Sequence, residues 1–228
     1  MNKTLNFLTI LAVTLLLGLP IQSYGSGGGG GGGNMGAIPS TPRLTPLEQA
    51  LKYYNQGLKL RDKAWKFEKR AAESTKEKDI AKFKKKTRKE FTKAKKKFAR
   101  AIRKEPRLYQ AYSSLGYAHR KLGEYEDSLA AYDEALRLNV KYSEAIEYRA
   151  EAYLALGRYE DTKKAYMVLF SGDRPKADEL MTAMLKWQGN LKQKTDDQHA
   201  FSAWIEERNQ LSLQTAGLSS PMVNNWQD

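Results

Sequence analysis

The sequence contains no cysteine and only two histidines among its 228 residues. Without cysteine the chain has no disulfide bonds, no thiolate catalysis, no zinc site with cysteine ligands and no lipidated N-terminal cysteine. Metal binding and acid–base catalysis need several convergent groups, and no such set stands at helical spacing around His119 or His199. The sequence therefore predicts no catalytic residues, no metal and no cofactor.

Long hydrophobic runs are missing as well, apart from one near the N-terminus. Residues 7–19 are almost entirely apolar, follow Lys3 and end at Pro20. The run is shorter than the roughly 20 residues of a membrane-spanning helix, and the Ser-Tyr-Gly triplet ending at Gly25 suits a cleavage site. We interpret residues 1–25 as a secretory signal peptide, with a periplasmic or secreted product; an uncleaved membrane anchor is the alternative.

Glycine is concentrated in a single run of seven at 27–33. The run lacks the Gly-Lys-Ser/Thr ending of a phosphate loop, so residues 26–46 are predicted to form a flexible Gly/Pro-rich linker. Thr45-Pro46-Leu47-Glu48 then has the residues of a capping box, which begins a helix. Ser74-Thr75-Lys76-Glu77 predicts a second capping box, and Thr195-Asp196-Asp197-Gln198 predicts the cap of a last helix.

Two similar segments, 122–127 and 156–161, are separated by an offset of 34 residues, and Tyr132 recurs as Tyr166 in the same frame. A period of this length with these residues resembles the tetratricopeptide repeat, a helix-turn-helix unit that stacks into a solenoid. The resemblance implies an all-α tetratricopeptide-repeat helical solenoid (α-α superhelix). It also implies a protein that binds other proteins and is not an enzyme.

The resemblance divides the chain after the linker into five segments. They are a first repeat-like helical hairpin at 47–108, repeat units at 109–142 and 143–176, C-terminal capping helices at 177–217 and a tail at 218–228. Gly57 and Phe91 are 34 residues apart, whereas the equivalent Gly116 and Tyr125 are nine apart. The 25 extra residues, shared between two antiparallel helices, predict a hairpin extended by roughly 18 Å.

The resemblance also implies where single residues lie within each unit. Gly123 and Gly157 fall at the turns between the two helices of a unit, where a positive φ favours glycine. His119 occupies a position where the family usually has tyrosine, so the resemblance implies that it belongs to the core.

The net charge of +13 is confined to the first hairpin. Between Lys59 and Arg107 there are 22 lysines and arginines against seven acidic residues, a net charge of +15. The predicted basic patch consists of Lys82, Lys84, Lys85, Lys86, Arg88, Lys89, Lys93, Lys95, Lys96 and Lys97. This surface is either a solvated helix face or an arm that docks on an anionic membrane or polyanion. Nucleic acid is disfavoured, because the signal peptide exports the chain and the aromatic residues here lie on the apolar stripe.

Members of the family usually bind extended peptides in a concave groove lined by the first helix of each unit. Transferred to this sequence, the groove positions are Gln110, Ser113, Tyr117, Arg120, Lys121, Glu144, Glu147, Tyr148 and Glu151, with an ordinary solvated helix face as the alternative. The lysine and asparagine set with which chaperone-docking members hold a C-terminal carboxylate is not evident. Glu144, Glu147 and Glu151 share one helix face and suit a basic ligand instead.

These observations together predict a function. We predict a non-enzymatic scaffold or adaptor of the cell envelope, which binds a peptide or protein partner in the groove. The alternative is an anionic-surface binding module that uses the lysine-rich hairpin.

Overall fold

The computed structural model describes residues 44–193 and 195–218, and the regular secondary structure within these ranges is helical throughout. The helices are α1 (Pro46–Glu73), α2 (Glu77–Lys104), α3 (Tyr109–Leu122), α4 (Tyr125–Leu138), α5 (Ser143–Ala155), α6 (Tyr159–Gly172), α7 (Arg174–Gly189) and α8 (Asp196–Leu218). Consecutive helices pack as hairpins, which confirms the all-α prediction. The predicted signal peptide, nearly all of the linker and the tail after residue 218 lie outside the described residues.

The capping motifs were predicted correctly at two of three helix starts. At α1 the backbone N–H of Glu48 donates to Thr45 Oγ1 at 3.2 Å, and the Thr45 N–H donates to Glu48 Oε2 at 2.8 Å. Thr195 and Gln198 make the same reciprocal pair before α8. The capping box predicted before α2 is wrong. Lys76 is the N-cap there, because Ser74 instead ends α1 and accepts the Lys76 N–H at 3.3 Å.

The first hairpin is twice as long as the next one. Helices α1 and α2 have 28 residues each, whereas α3 and α4 have 14. At 1.5 Å per residue the difference extends the hairpin by about 21 Å, which confirms the predicted extension. The buried residues of α1 are Ala50, Gly57 and Ala64, one every seven positions, and their small size lets α2 approach closely.

The central contact of the repeat occurs in both of the first two hairpins. A Cβ on Gly116 would lie 2.7 Å from the ring of Tyr132, and a Cβ on Gly57 would overlap the ring of Phe98 in the same way. The first hairpin therefore shares the glycine–ring contact of the second one, although its helices are longer. The two turn glycines have the predicted positive φ, 82° at Gly123 and 73° at Gly157.

The first helices of the hairpins form one layer, because α3 contacts α5 and α5 contacts α7 although these helices are not consecutive. A continuous core runs from α4 through the following helices to α8. At its C-terminal end Phe201 stacks on Tyr159 at 4.8 Å and on Trp204 at 5.9 Å, so α8 covers the last repeat. Among the described residues no helix combines the length and apolar character needed to cross a membrane.

Candidate functional site

A row of aromatic rings connects the first helices of three hairpins. The indole Nε1–H of Trp65 on α1 donates to the hydroxyl of Tyr117 on α3 at 2.7 Å, and the two rings meet edge to face. The ring of Tyr117 lies 5.0 Å from that of Tyr148 on α5. We call Trp65, Tyr117 and Tyr148 the aromatic row, and the surface around it on α1, α3 and α5 the first-helix face.

Arg120 lies against this row. Its guanidinium is 5.2 Å from the ring centre of Tyr117 and 5.7 Å from that of Tyr148, close enough for cation–π attraction. It also forms an ion pair with Glu151 on α5, in which both side chains are largely shielded from solvent. Burial opposes the charge on Arg120, but the Glu151 carboxylate together with Tyr132 and Tyr117 outweighs it, and the pKa of Arg120 is raised.

Glu147 is the buried acid of the first-helix face. It is only 3% exposed and lies one helical turn before Glu151. Its Oε2 has no hydrogen-bond partner among the described residues. Burial and the neighbouring Glu151 carboxylate raise the pKa of Glu147 to about 9, although Lys176 on α7 partly opposes this shift. At neutral pH the side chain is therefore a neutral carboxylic acid that can become charged if a cation approaches it.

The structure brings five of the nine predicted groove residues together: Tyr117, Arg120, Glu147, Tyr148 and Glu151. The other four have different surroundings. Ser113 is as buried as Glu147, at 3% exposure, and carries no ionisable group. Lys121 pairs with Glu68 of α1 at 2.7 Å. Gln110 and Glu144 are half-buried in the first turns of α3 and α5.

Three residues of this surface were missed from the sequence. Trp65 and Glu68 continue the helical stripe of Tyr54, Leu58 and Arg61 along α1, so extending that spacing into the long part of the helix would have found them. Lys176 comes from α7. No spacing along the sequence relates it to Glu147, because the two residues meet only through the packing of α5 on α7.

The predicted basic patch divides into two groups. Three of its lysines have partners: Lys93 contacts Glu90 at 2.9 Å, Lys95 contacts Glu124 at 2.7 Å and Lys97 contacts Gln56 at 2.7 Å. The remaining seven, all exposed, are Lys82, Lys84, Lys85, Lys86, Arg88, Lys89 and Lys96. Lys95 therefore links the first hairpin to the turn of the second hairpin. Most of the exposed positive charge of the patch comes from the seven residues that have no such partner among the described residues.

His119 contributes to the same turn. Its Nδ1 lies 2.7 Å from Glu124 Oε2, and with Asp127 the three side chains bring potential ligand atoms within 4.8 Å of one another. Burial opposes the charge of Glu124, but hydrogen bonds from Lys95 and His119 outweigh it and lower its pKa. A metal ion would have to displace the Lys95 ammonium, so this geometry fits a structural contact between hairpins.

Comparison with known proteins gives a family match and several similar folds. The tetratricopeptide repeat family model matches residues 109–142. No curated protein matches the sequence. One similar solved structure is the TPR2B-domain:pHsp70 complex of yeast Sti1, with 16% identity, a TM-score of 0.48, and coverage of 63% of this chain and 98% of that one. Another is the Arabidopsis OM64 TPR domain, with 15% identity, a TM-score of 0.42, and coverage of 61% and 99%.

The family match falls on the hairpin of α3 and α4. This hairpin contains the Gly116–Tyr132 contact and the positive φ of Gly123, and it packs against α2 on one side and α5 on the other. Residues 109–142 therefore form a tetratricopeptide repeat, a helical repeat that generally mediates protein–protein interaction.

Proposed function

We propose that this protein is a non-enzymatic scaffold or adaptor of the cell envelope that binds a peptide or protein segment on its first-helix face. The observation that carries the proposal is the aromatic row, with Arg120 lying against it. The proposed location rests on the signal-peptide character of residues 1–25.

The residue types of this surface are those that contribute most to protein interfaces. Tryptophan, tyrosine and arginine are enriched among the residues whose truncation costs the most binding energy. Here Trp65, Tyr117 and Tyr148 hold one another by ring contacts and a hydrogen bond. Because these contacts fix the side chains before a partner arrives, binding loses little side-chain entropy.

Glu147 adds a preference for positive charge in the partner. The buried acid has an unpartnered oxygen and lies next to Glu151, whose carboxylate already pairs with Arg120. A lysine or arginine of the bound segment would be stabilised by an ionised Glu147. Because the pKa of Glu147 is raised to about 9, such binding would release a proton at neutral pH and strengthen as pH rises.

Site-specific photo-crosslinking in the protein's own cells tests this surface. A photoreactive residue at Gln110 or Glu144 samples the first-helix face, and one at the exposed Arg137 of α4 is the matched control. We expect Gln110 and Glu144 to capture the same partner and Arg137 to capture none of it. Equal capture from all three positions would remove the support for this face.

The partner captured in this way allows a test of the charge preference. Glu147→Gln should weaken its binding and abolish the proton release, whereas Glu144→Gln on the same helix should leave both nearly unchanged. Both variants replace a carboxyl group with an amide of nearly the same shape, so a similar effect of both would contradict a specific role of Glu147.

The alternative function is an anionic-surface binding module that uses the lysine-rich hairpin. The observation in its favour is the group of seven exposed cations on α2. Added salt distinguishes the two functions, because it screens exposed charges strongly and a packed aromatic contact only weakly.

A further inference from the structure

A second concave region lies where the extended hairpin meets the repeats. It is an open cavity of about 980 Å³ formed by the end of α1, the start of α2 and single residues of α3 and α7. Six of its lining residues are cationic and one is acidic: Lys69, Lys84, Lys85, Arg88, Lys121, Lys186 and Glu68. We call it the hairpin cavity. It contains no residue of the aromatic row, although Glu68 and Lys121 lie between the two regions.

Most of the positive charge in the hairpin cavity has no counter-charge. Glu68 is paired with Lys121 at 2.7 Å, and Lys69 contacts the exposed Glu73 at 3.7 Å. The other four cations, Lys84, Lys85, Arg88 and Lys186, make no ion pair with any residue in the ranges 44–193 and 195–218. They come from α2 and α7, two helices that are far apart in the sequence, so the fold itself gathers the charge in one place.

Thr87 provides a second and independent observation. It lines the hairpin cavity, is 9% exposed, and its hydroxyl has no hydrogen-bond partner among the described residues. Thr92, one turn further along α2, instead donates to the Arg88 carbonyl at 2.9 Å. A buried hydroxyl without a hydrogen-bond partner destabilises the folded protein. An anion in the cavity would give the Thr87 hydroxyl an acceptor.

We propose that the hairpin cavity binds a ligand that carries clustered phosphate groups. Five of the six cations are lysines, whose compact ammonium groups bind phosphate as point charges. Phosphate groups offer several acceptor oxygens each and can neutralise cations that approach from two helices. Ala71, Ala72 and Ile80 complete the wall of the cavity. The volume is within the range of small-molecule sites.

The test uses sodium tripolyphosphate as the probe, titrated by calorimetry into the purified protein. The cavity variant carries Lys84→Gln, Lys85→Gln and Arg88→Gln. The matched control carries Lys82→Gln, Lys86→Gln and Lys89→Gln, which removes the same charge from the same helix outside the cavity lining. We expect the cavity variant to lose about tenfold or more in affinity, because charge-assisted contacts are removed, and the control to lose much less. Equal losses, or no binding of tripolyphosphate to the unchanged protein, would overturn the proposal.

Two conservative variants test whether the Thr87 hydroxyl contributes to ligand binding. Thr87→Val keeps the shape and removes the donor, so it should weaken binding several-fold, whereas Thr87→Ser should bind as the unchanged protein does. Circular dichroism and urea unfolding check that each variant is folded. An unchanged affinity of Thr87→Val would remove the hydroxyl from the proposed site.

Two further measurements distinguish a lipid headgroup from a soluble phosphate ligand and test an acidic protein segment as the competing ligand. Vesicles of phosphatidylglycerol, compared with phosphatidylcholine, test a lipid headgroup: binding that is lost in the cavity variant assigns a lipid source, and its absence assigns a soluble one. A polyglutamate peptide tests an acidic protein segment. If it binds as tightly as tripolyphosphate with the same dependence on the variants, the preference for phosphate is wrong. None of these results depends on a partner of the first-helix face.

Discussion

Glu147 and Glu151 lie one helical turn apart on α5, and Arg120 forms an ion pair with only the second of them. The first is left buried, with one carboxylate oxygen unpartnered among the described residues. Two acids on one helix face therefore have different roles. Glu151 holds Arg120 against the aromatic row, and Glu147 remains as a neutral group that can ionise when a cation binds.

This arrangement predicts a pH dependence of stability. The pKa of Glu147 is about 9 in the folded protein, above its ordinary value of 4.5. The stabilising contribution of Glu147 to the folded state is fully present below about pH 4.5, the pKa of this group in the unfolded chain. It is lost as pH rises towards about 9, because between these values only the unfolded chain releases the proton freely. Glu147→Gln should therefore raise the free energy of unfolding at neutral pH and flatten its decline.

Urea unfolding at several pH values between 5 and 9 measures this effect. Glu144→Gln is the control, since Glu144 is half-buried on the same helix. A Glu147→Gln variant that is less stable than the unchanged protein at neutral pH would contradict the assigned protonation.

The close approach of α3 and α4 predicts a large cost for adding one methyl group. A Cβ at Gly116 would lie 2.7 Å from the fully buried ring of Tyr132. Gly116→Ala should therefore reduce the free energy of unfolding by about 1–3 kcal/mol, as overpacking does. Gly172→Ala is the matched control, because no atom lies within 4 Å of a Cβ there. Alanine is the better helix former, so this control should be neutral or slightly stabilising.

The turn between α3 and α4 predicts a loss of stability that arises from backbone strain and not from a steric clash. Gly123 has a φ of 82°, and nothing lies within 4 Å of a Cβ built on it, so a substitution there meets backbone strain and no clash. Gly123→Ala should cost about 1–2 kcal/mol of stability. Gly123→Asn should cost less, because asparagine tolerates the left-handed region. Equal thermal unfolding temperatures for the two variants would show that strain is not the cause.

The hydrogen bond between Trp65 and Tyr117 predicts energetic coupling between the extended hairpin and the second repeat. A double-mutant cycle of Trp65→Phe and Tyr117→Phe should give a coupling energy of about 0.5–1.5 kcal/mol. Tyr159→Phe is a suitable control partner for Trp65→Phe, because Tyr159 packs on Phe201 near the other end of the repeats. Those two changes should be additive. Additivity of the Trp65 and Tyr117 changes would mean that the hydrogen bond contributes nothing.

Much of the fold could be predicted because its signals are local. A 34-residue offset, a capping box or a turn glycine depends on neighbouring residues alone, and these features predicted the hairpins and the extension of the first one. The capping box predicted before α2 is wrong because Ser74 ends α1 and accepts the Lys76 N–H instead of capping α2. Which residue ends the preceding helix depends on how the two long helices pack.

The candidate site was less accessible from the sequence. The resemblance to the repeat family placed Tyr117, Arg120 and Glu147 on one surface. Their chemistry depends on burial and on partners from other hairpins. The raised pKa of Glu147 requires the packing of α5, and the neutralisation of Lys95 requires Glu124 at 29 residues' distance. Neither has a signature in the spacing of residues along the chain.

The seven-residue spacing of Ala50, Gly57 and Ala64 has a mechanical consequence. Because small residues recur along α1, the first hairpin packs over its length as one continuous pair of helices, with no loop or hinge between its far end and Trp65. The hydrogen bond from Trp65 to Tyr117 attaches this long helical pair to α3. We therefore expect a displacement of the cationic end of the hairpin to shift the Trp65 ring relative to Tyr117.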